Sequence, residues 1–417
     1  MGLVRPAKKI VESLSARGIV ILSAEAPVVL CVVDWVEIAN GAHDLWRKLL
    51  AEAAGTTVDR VALHTHHPHD TPGHFFSRDE MEDFKNLDGI VQDTAFAEKT
   101  ASRTAAALRA SLPKAKPVTH YGYGCAEVAE VASNRRIIGE DGRVAHWRGS
   151  ACNDKAIRDL PEGVIDPWLR NISFWNGEQP LVSITYYATH PQSFYGEGAV
   201  SPDFTGLARS IREATLPDVA HIHFDGAGGN VAAGKYNDRS PQNRLILAQR
   251  LVNAMETAWA GTKKAALNDS EFSWRVKPLA LPVRETLAGE SEKHLLSILH
   301  DKNRPDVRIL FHAAGDLVWK RRRQAGRTLD VGCLKIGETS ILHMPGELFV
   351  EYQLAAQKMA GERPVMVAAY GDCGTGYIGT GVAYRQGGYE TGDASRVSQD
   401  SERIILETMR CFFGTSG

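Results

Sequence analysis

The sequence lacks the features that mark several large classes of protein. Its six cysteines are far apart and form no C-x-x-C pair, which argues against zinc-ribbon and thioredoxin-type motifs. No run approaches the ~20 apolar residues that a membrane helix needs, and no signal-peptide core follows the first basic residues. We therefore expect no stable membrane insertion and a cytoplasmic location. A secreted protein whose leader has been removed stays an alternative.

The sequence also lacks a net charge of one sign, any internal repeat and any low-complexity tract. Lysine and arginine total 48 against 50 aspartates and glutamates, a formal net charge of −2. No overall positive field therefore exists to attract nucleic acid. The chain is 43% hydrophobic and 24% charged over 417 residues, a composition typical of globular proteins. The oligomeric state stays open, and a homo-oligomer is compatible with the sequence.

Apolar, β-rich runs alternate with helix-like segments along the chain. The predicted strands are Gly18–Leu22, Val28–Asp34, Arg60–His64, Leu181–Ala188, Val219–Phe224, Leu329–Ile336, Ser340–Met344 and Val365–Tyr370. The predicted helices are Ala39–Ala54, Thr94–Leu112, Phe204–Glu213, Pro241–Trp259, Ser291–His300, Glu347–Met359 and Ser395–Met409. This order predicts an α/β fold, a layered domain over residues 1–417 with a largely buried, mixed β-sheet flanked by helices. The charged, irregular segment 268–328 is a candidate inserted subregion.

The densest polar motif follows the predicted strand that ends at His64. Four histidines, His64, His66, His67 and His69, fall within six positions. Residues two apart in an extended chain point to the same face, so His64 and His66 can converge on one metal ion, or on an ion and its substrate. For His67, His69 and the nearby His74, a polar loop that happens to be rich in histidine is the favoured interpretation.

The same segment also permits a dinuclear interpretation. The metallo-β-lactamase signature H-x-H-x-D-H matches the stretch that begins at His64, except that Pro68 occupies the aspartate position. A pyrrolidine ring cannot bind a metal or act as a base, so this interpretation lacks a ligand. It remains an alternative, and it predicts two metal ions per chain and a site built around His67 and His69.

Further motifs complete an ordered pattern along the chain. They are Asn134-Arg135, Ala188-Thr189-His190, Ser201-Pro202-Asp203, Pro345-Gly346-Glu347 and Gly376-Tyr377. Together with His64-Thr65-His66, in this order, they resemble motifs of the neutral ceramidase family (neutral/alkaline non-lysosomal ceramidases). Tyr384 and Tyr389 follow Tyr377 at the offsets of the family's tyrosine loop. The resemblance covers the amidase domain of the family, over residues 60–390, without its C-terminal β-sandwich domain.

The resemblance implies one Zn²⁺ per chain, held by His64, His190, Glu347 and Tyr377. Two imidazoles, a carboxylate and a phenolate suit zinc, which lowers the pKa of bound water to about 7 and polarises a carbonyl. The resemblance also implies that the catalytic residues His66, Arg135 and Tyr389 face the substrate. Arg135 and Tyr389 would stabilise the oxyanion, and His66, with an ordinary pKa of ~6.5, is the candidate proton shuttle.

The glycine-rich loop departs from the family pattern. Where the family reads G-N/D-x-S-P-N, this chain reads Gly229-Asn230-Val231-Ala232-Ala233-Gly234, so alanine replaces the serine proposed as a nucleophile. Metal-activated water is therefore the expected attacking group. Gly229, Asn230 and Ala232 are expected to form the substrate or oxyanion loop, where glycine lets backbone amides approach the substrate closely.

The predicted function is zinc-dependent hydrolysis of an amide (or ester) bond in a small-molecule or lipid-like substrate. Two alternatives stay open besides the metallo-β-lactamase-like hydrolase. A non-catalytic relative would keep the metal pocket only to bind a ligand, and Ala232 is the residue that favours it. A two-histidine, one-carboxylate iron site could also be built from His64, His190 and Glu347.

Overall fold

The computed structural model describes residues 7–301, 303 and 306–413 of the chain. The strands within these residues are β1 (Lys9–Ile10), β2 (Ala16–Ile21), β3 (Val28–Val33), β4 (Val61–Thr65), β5 (His120–Glu127), β6 (Ser133–Asn134), β7 (Arg136–Ile138), β8 (Val144–Trp147), β9 (Trp168–Asn176), β10 (Gln179–Tyr187), β11 (Ala199–Val200), β12 (Ala220–Asp225), β13 (Val231–Ala232), β14 (Lys263–Ala266), β15 (Phe272–Leu279), β16 (Leu329–Ile336), β17 (Thr339–His343), β18 (Glu347–Leu348), β19 (Val365–Ala368) and β20 (Tyr377–Ile378). The α-helices are α1 (Asn40–Ala54), α2 (Thr94–Ser111), α3 (Lys155–Asp159), α4 (Asp203–Thr215), α5 (Asn243–Ala260), α6 (Glu285–Gly289), α7 (Glu292–Leu299), α8 (Val307–Gln324), α9 (Val350–Ala360), α10 (Gly381–Gln386) and α11 (Ser401–Phe413).

Three mixed sheets form the centre of the fold, with the strand orders β2-β3-β4, β12-β10-β9-β5-β14 and β15-β16-β17-β19. Each sheet has one parallel pair beside antiparallel neighbours: β3 with β4, β10 with β12, and β17 with β19. Parallel neighbours need a crossover connection, usually a helix. Helix α1 connects the first pair, α4 the second and α9 the third. The fold therefore repeats one strand–helix–strand arrangement in three sheets.

The apolar faces of the three sheets meet in one buried core. Leu30 of β3, Ile184 of β10, Phe224 of β12, Ile341 of β17 and Met366 of β19 belong to this single cluster. The helices cover the outer faces, with α1 and α2 on the first sheet, α4 and α5 on the second, and α8, α9 and α11 on the third. Burial of each large apolar side chain contributes about 1.5–3 kcal/mol, so this core holds the strand ends in fixed positions.

The predicted α/β architecture with buried, mixed β-structure and flanking helices is confirmed, although the strands form several sheets instead of one. Each predicted strand and helix overlaps an observed one. The difference that matters for the site concerns Glu347, which was expected to begin a helix. Glu347 and Leu348 instead form strand β18, which pairs with β20, and helix α9 begins only at Val350.

The segment 268–328 is more regular than the sequence indicates. Strand β15 is the edge strand of the third sheet, and α6, α7 and α8 follow it. The basic run at the end of α8 is paired with acidic side chains: Arg321 lies 2.7 Å from Asp83 and Arg322 lies 2.9 Å from Asp44. The single domain with an inserted subregion stays a prediction.

No helix in the described part of the chain is long and apolar enough to cross a bilayer. All six cysteines, which lie within the described residues, are free thiols. Cys31, Cys333 and Cys373 are buried, whereas Cys125 and Cys411 are exposed.

Candidate active site

The carboxyl ends of strands from all three sheets lie next to one another. Thr65, the last residue of β4, donates its backbone N–H to the carbonyl of Tyr370 beyond β19 (2.9 Å). Ala369 in turn donates to the carbonyl of Asp225, the last residue of β12 (3.0 Å). The loops that leave these strands therefore converge at one edge, where open α/β sheets place their ligand sites.

Two imidazoles and one carboxylate meet at this edge. His67 follows β4, His190 follows β10 and Glu347 opens β18. The Oε2 atom of Glu347 lies 3.0 Å from Nε2 of His190 and 3.2 Å from Nε2 of His67. All three side chains are buried, and one ligand atom from each lies within 4.8 Å of the others. These residues are termed the His67 group below.

Tyr377 adds a fourth oxygen atom to the His67 group. Strands β18 and β20 pair in parallel with Glu347 opposite Tyr377, which brings the tyrosine ring beside the carboxylate. The Tyr377 hydroxyl lies 3.3 Å from Nε2 of His190, and its ring stacks on the imidazole at 6.0 Å between centroids. Two nitrogens, a carboxylate oxygen and a phenol oxygen are thus within reach of one cation.

Backbone carbonyls fix how the two imidazoles present their nitrogens. The Nδ1–H of His67 donates to the carbonyl of Val36 (2.6 Å), and that of His190 donates to the carbonyl of Gly228 (2.6 Å). In the neutral rings the lone pairs then lie on the two Nε2 atoms that face Glu347. Metal-binding histidines are typically oriented in this way by an acceptor at the other nitrogen. The donor set therefore fits a divalent cation such as Zn²⁺.

The charges within the His67 group depend on one another. Burial, together with the charge of Arg135, lowers the pKa of His190 to about 4. Burial alone would raise the pKa of Glu347, but His67 and His190 outweigh it and hold that pKa well below its usual range. Burial opposes the charge on His67, yet the carboxylate of Glu347 raises the His67 pKa. The Glu347 carboxylate therefore favours a positive charge at this position, which a bound cation can supply.

Arg135 and Tyr389 lie beside Tyr377. The Tyr377 hydroxyl is 2.6 Å from that of Tyr389, which lies 3.3 Å from Nη2 of Arg135. The same Arg135 nitrogen donates to the carbonyl of Gly229 (2.6 Å) and lies 3.3 Å from Oε1 of Glu390. Burial raises the pKa of Tyr377 well above its usual value, while the Arg135 charge opposes that rise. The arginine therefore favours the phenolate form.

Two cavities open beside the His67 group. One, of about 430 Å³, is lined by His67, His69, Glu347, Tyr377 and Tyr389, among others. The second, of about 510 Å³, is lined by His69, Arg135, Trp147, Ser150, Gln192, Tyr195, Gly388 and Tyr389. His69 and Tyr389 belong to both walls, so they lie where the two cavities adjoin. A substrate can place one substituent in each cavity and the bond between them next to the His67 group.

Comparison with solved structures reveals a similar architecture. A structure of neutral ceramidase from Pseudomonas aeruginosa aligns with a TM-score of 0.64 and 17% sequence identity, over 94% of this chain and 67% of the ceramidase chain. The fold is that of neutral ceramidase. A ceramidase complexed with C2 gives a TM-score of 0.64 and 17% identity, over 94% of this chain and 68% of the other. No protein-family model matches the sequence, and no curated protein matches it.

Within the ceramidase-like fold, His64 does not join the His67 group, in contrast to the expected ligand set. Its Nδ1–H donates to the carbonyl of Ala369 (2.7 Å), and its Nε2 lies 3.0 Å from Nδ1 of His343. His67 takes the expected place because its backbone has a φ of 52°, in the left-handed region. This torsion breaks the two-residue alternation of the strand and directs the His67 side chain to Glu347.

His66 also differs from its expected role at the substrate. Its ring is fully buried, with Nδ1 3.3 Å from Asp34 and Nε2 3.7 Å from Asp225. It belongs to a second group that could hold a metal, together with His223 and Asp225. Among the described residues, neither such group contains His69, so the arrangement differs from a dinuclear site built around His67 and His69.

The glycine-rich loop packs against β18, whereas the sequence predicts that it contacts the substrate. A Cβ atom at Gly229 would lie 2.3 Å from the carbonyl oxygen of Glu347, so glycine is needed for close packing against β18. The Asn230 amide donates to Glu351, and its side-chain oxygen accepts from the N–H of Val350. Ala232 is buried in β13, and the residues that line the two cavities do not include it.

Three residues of this site, His67, His69 and Glu37, are absent from the ligand and catalytic sets that the resemblance implies. For His67 and His69 the sequence favours a polar loop, although His67-Pro68-His69 repeats the H-x-H spacing three residues after His64. That repeated spacing was the available signal. Glu37 is buried and lines the 430 Å³ cavity, and burial together with the charge of Glu347 raises its pKa to about 7. An isolated glutamate in the sequence gives no such indication.

Proposed function

We propose that this protein is a metal-dependent hydrolase that cleaves an amide (or ester) bond of a small molecule, in the manner of a neutral ceramidase. The observation that supports it is the convergence of His67, His190, Glu347 and Tyr377 beside two cavities in a ceramidase-like fold. His67 replaces His64 in the proposed ligand set. These four residues would hold Zn²⁺, which when bound would polarise the substrate carbonyl and lower the pKa of a water molecule.

The residues around the His67 group have separate roles in this proposal. Tyr389, at the junction of the cavities, donates a hydrogen bond to the oxyanion, and Arg135 holds Tyr389 and adds positive charge. His69 faces both cavities and is the imidazole placed to accept a proton from the attacking water and then to deliver it to the leaving nitrogen. Burial lowers the pKa of His69 well below its usual value, so the ring begins as the neutral base.

The two cavities indicate the kind of substrate. A linear amide places its acyl and amine parts in different cavities, with the C–N bond between His69 and Tyr389. Ser150, Gln192 and Tyr195 on the wall of the 510 Å³ cavity offer hydrogen bonds to a polar substituent. N-acylated amino acids and sugars therefore belong in the substrate panel together with N-acyl long-chain amines.

The experiment compares turnover and zinc content in a matched pair of variants. The purified chain is assayed on the amide panel, after chelation and after zinc is restored. We expect hydrolysis to be lost on chelation and regained with zinc. His67→Ala should lose about one zinc per chain and lower turnover by at least ~10³-fold, because a metal ligand is removed.

His64→Asn is the matched control, since it alters a buried histidine of the same segment outside the proposed ligand set. It should retain zinc and turnover. Full zinc retention and full activity in His67→Ala would contradict the assignment. Zinc binding without turnover of any amide or ester would favour the ligand-binding alternative.

A further inference from the structure

A second cluster of metal-ligating side chains shares no residue with the His67 group. His66 follows β4, while His223 and Asp225 are two residues apart on β12 and so share one face of the sheet. The Nε2 atom of His66 lies 3.7 Å from Oδ2 of Asp225, and that of His223 lies 3.5 Å from Oδ1. The three residues are at most 1% exposed.

Neighbouring side chains orient both imidazoles of this cluster. Nδ1 of His66 lies 3.3 Å from Oδ1 of Asp34, and Nδ1 of His223 lies 2.8 Å from the Thr185 hydroxyl. Arg209 binds both oxygens of Asp34, at 2.7 and 2.8 Å, and so neutralises that carboxylate. Asp34 lies beside His66 on the side that the carboxylate occupies in carboxylate–histidine–zinc arrangements, although Nδ1 of His66 makes no hydrogen bond to any described residue. Both Nε2 atoms consequently face Asp225.

The atoms that face the middle of the cluster have no other partners. Nε2 of His66, Nε2 of His223 and both carboxylate oxygens of Asp225 are buried and make no hydrogen bond to any described residue. Leaving such groups unsatisfied in the interior destabilises the folded state. The 3.5 and 3.7 Å separations are longer than hydrogen bonds and close to the about 3.3 Å between neighbouring ligands of a tetrahedral zinc ion.

We propose that His66, His223 and Asp225 bind a second divalent cation of the zinc type, separate from the one held by the His67 group. Two imidazoles and a carboxylate are ligands that zinc and its first-row neighbours accept. The cation is structural because its ligands are shielded from solvent, and it joins the end of β4 to β12. This proposal goes beyond the proposed function and does not depend on it.

The first test measures zinc in the full chain after loading with Zn²⁺ alone and dialysis against metal-free buffer. We expect about two zinc ions per wild-type chain. Asp225→Asn and His223→Gln should each retain one ion, and Glu347→Gln should lose the other. His221→Gln, which changes a buried histidine on the same strand, should retain both. One ion in the wild type, lost in Glu347→Gln and kept in Asp225→Asn, would overturn the proposal.

A second test uses only the wild-type protein and so does not depend on whether a variant folds. Anomalous diffraction at the zinc edge from wild-type crystals should show two peaks, one of them between His66, His223 and Asp225. A single peak at the His67 group, with an ordered water in the second cluster, would overturn the proposal. Two bound ions without hydrolysis would contradict only the proposed function. Hydrolysis by a protein that binds one ion would contradict only the second site.

Discussion

The Tyr389 hydroxyl belongs to the hydrogen-bonded chain of Tyr377, Tyr389 and Arg135, and Tyr389 lines both cavities. It contacts the Tyr377 hydroxyl and Arg135, and its side chain lies on the wall that the cavities share. Tyr389→Phe removes this donor and leaves the His67 group intact. We expect kcat to fall by about 10²-fold, the usual cost of losing one oxyanion donor, with zinc content unchanged.

Tyr384→Phe provides the matched control for this prediction. The Tyr384 hydroxyl bonds to Ser395 Oγ (3.0 Å) and donates to the Val397 carbonyl (2.9 Å), so it supports the loop and lies away from the His67 group. Its loss should lower the melting temperature and leave kcat near the wild-type value. Equal kcat values for wild type and Tyr389→Phe would remove Tyr389 from the catalytic set.

His74 links stability to pH through one hydrogen bond. The indole N–H of Trp46 donates to Nδ1 of His74 (3.1 Å), which requires a neutral ring. Burial lowers the pKa of His74 to about 4, against the opposing charges of Glu98 and Asp88. In the unfolded chain the pKa is ~6.5. Between these values the unfolded state binds more protons, so the free energy of unfolding falls as the pH falls.

Proton linkage at His74 therefore lowers the free energy of unfolding by about 2 kcal/mol between pH 7 and pH 5. His74→Gln keeps a side-chain acceptor for Trp46 but does not titrate. Urea unfolding gives the free energy of unfolding at pH 7 and at pH 5. The decrease from pH 7 to pH 5 should be about 2 kcal/mol smaller in the variant than in the wild type. Identical differences would show that His74 does not contribute.

At the residue scale, the sequence predicted the chemical types at the site better than their positions. His190, Glu347 and Tyr377 are close together, as the ligand set implied by the resemblance requires. His64 and His67 could not be separated, because both lie in one histidine-rich stretch and the two-residue alternation applies only while the strand continues. The positive φ of His67 ends that regularity, and nothing in the local sequence specifies it.

At the scale of elements, the glycine-rich loop and strand β18 form one packed unit. Gly229 donates its backbone N–H to the carbonyl of Leu348 (2.8 Å), and its α-carbon leaves no room for a side chain beside Glu347. Gly229→Ala should push β18 away and displace the Glu347 carboxylate. We expect a loss of roughly 1–3 kcal/mol in stability together with reduced zinc affinity, measured by thermal unfolding and by competition with a chelator.

Gly289→Ala is the control at this scale. A Cβ atom at Gly289, the last residue of α6, meets no atom within 4 Å. Its stability should change by less than ~0.5 kcal/mol, and its zinc affinity should not change. A Gly229→Ala protein with wild-type zinc affinity would show that the loop does not position Glu347.

The role of β18 also shows where prediction of elements from sequence stops. The apolar run before Met344 and the helical pattern after Val350 are both recognisable, and both are present. Glu347 lies between them, and its local sequence is compatible both with the first turn of a helix and with a strand. The pairing of Glu347 with Tyr377 decides between them, and the two residues are 30 positions apart.

At the scale of the whole molecule, the three strand–helix–strand units explain why the fold class was predictable and the number of sheets was not. Alternation of apolar runs and amphipathic helices is a local property. Which strands share hydrogen bonds depends on pairs such as β5 with β9 and β15 with β16, which are far apart in the chain. Strands β5, β9 and β15 are also less uniformly buried than predicted strands such as β3, β4 and β19, so their apolar pattern is weaker.

The scattering of the proposed ligands along the chain has a consequence for biosynthesis. His67 emerges from the ribosome before His190, and Glu347 and Tyr377 follow only after a further stretch of more than 150 residues. A nascent polypeptide therefore cannot complete the His67 group until Tyr377 has been synthesised. Products truncated before that residue, however well their first two sheets form, would lack part of the proposed ligand set and would bind the ion weakly.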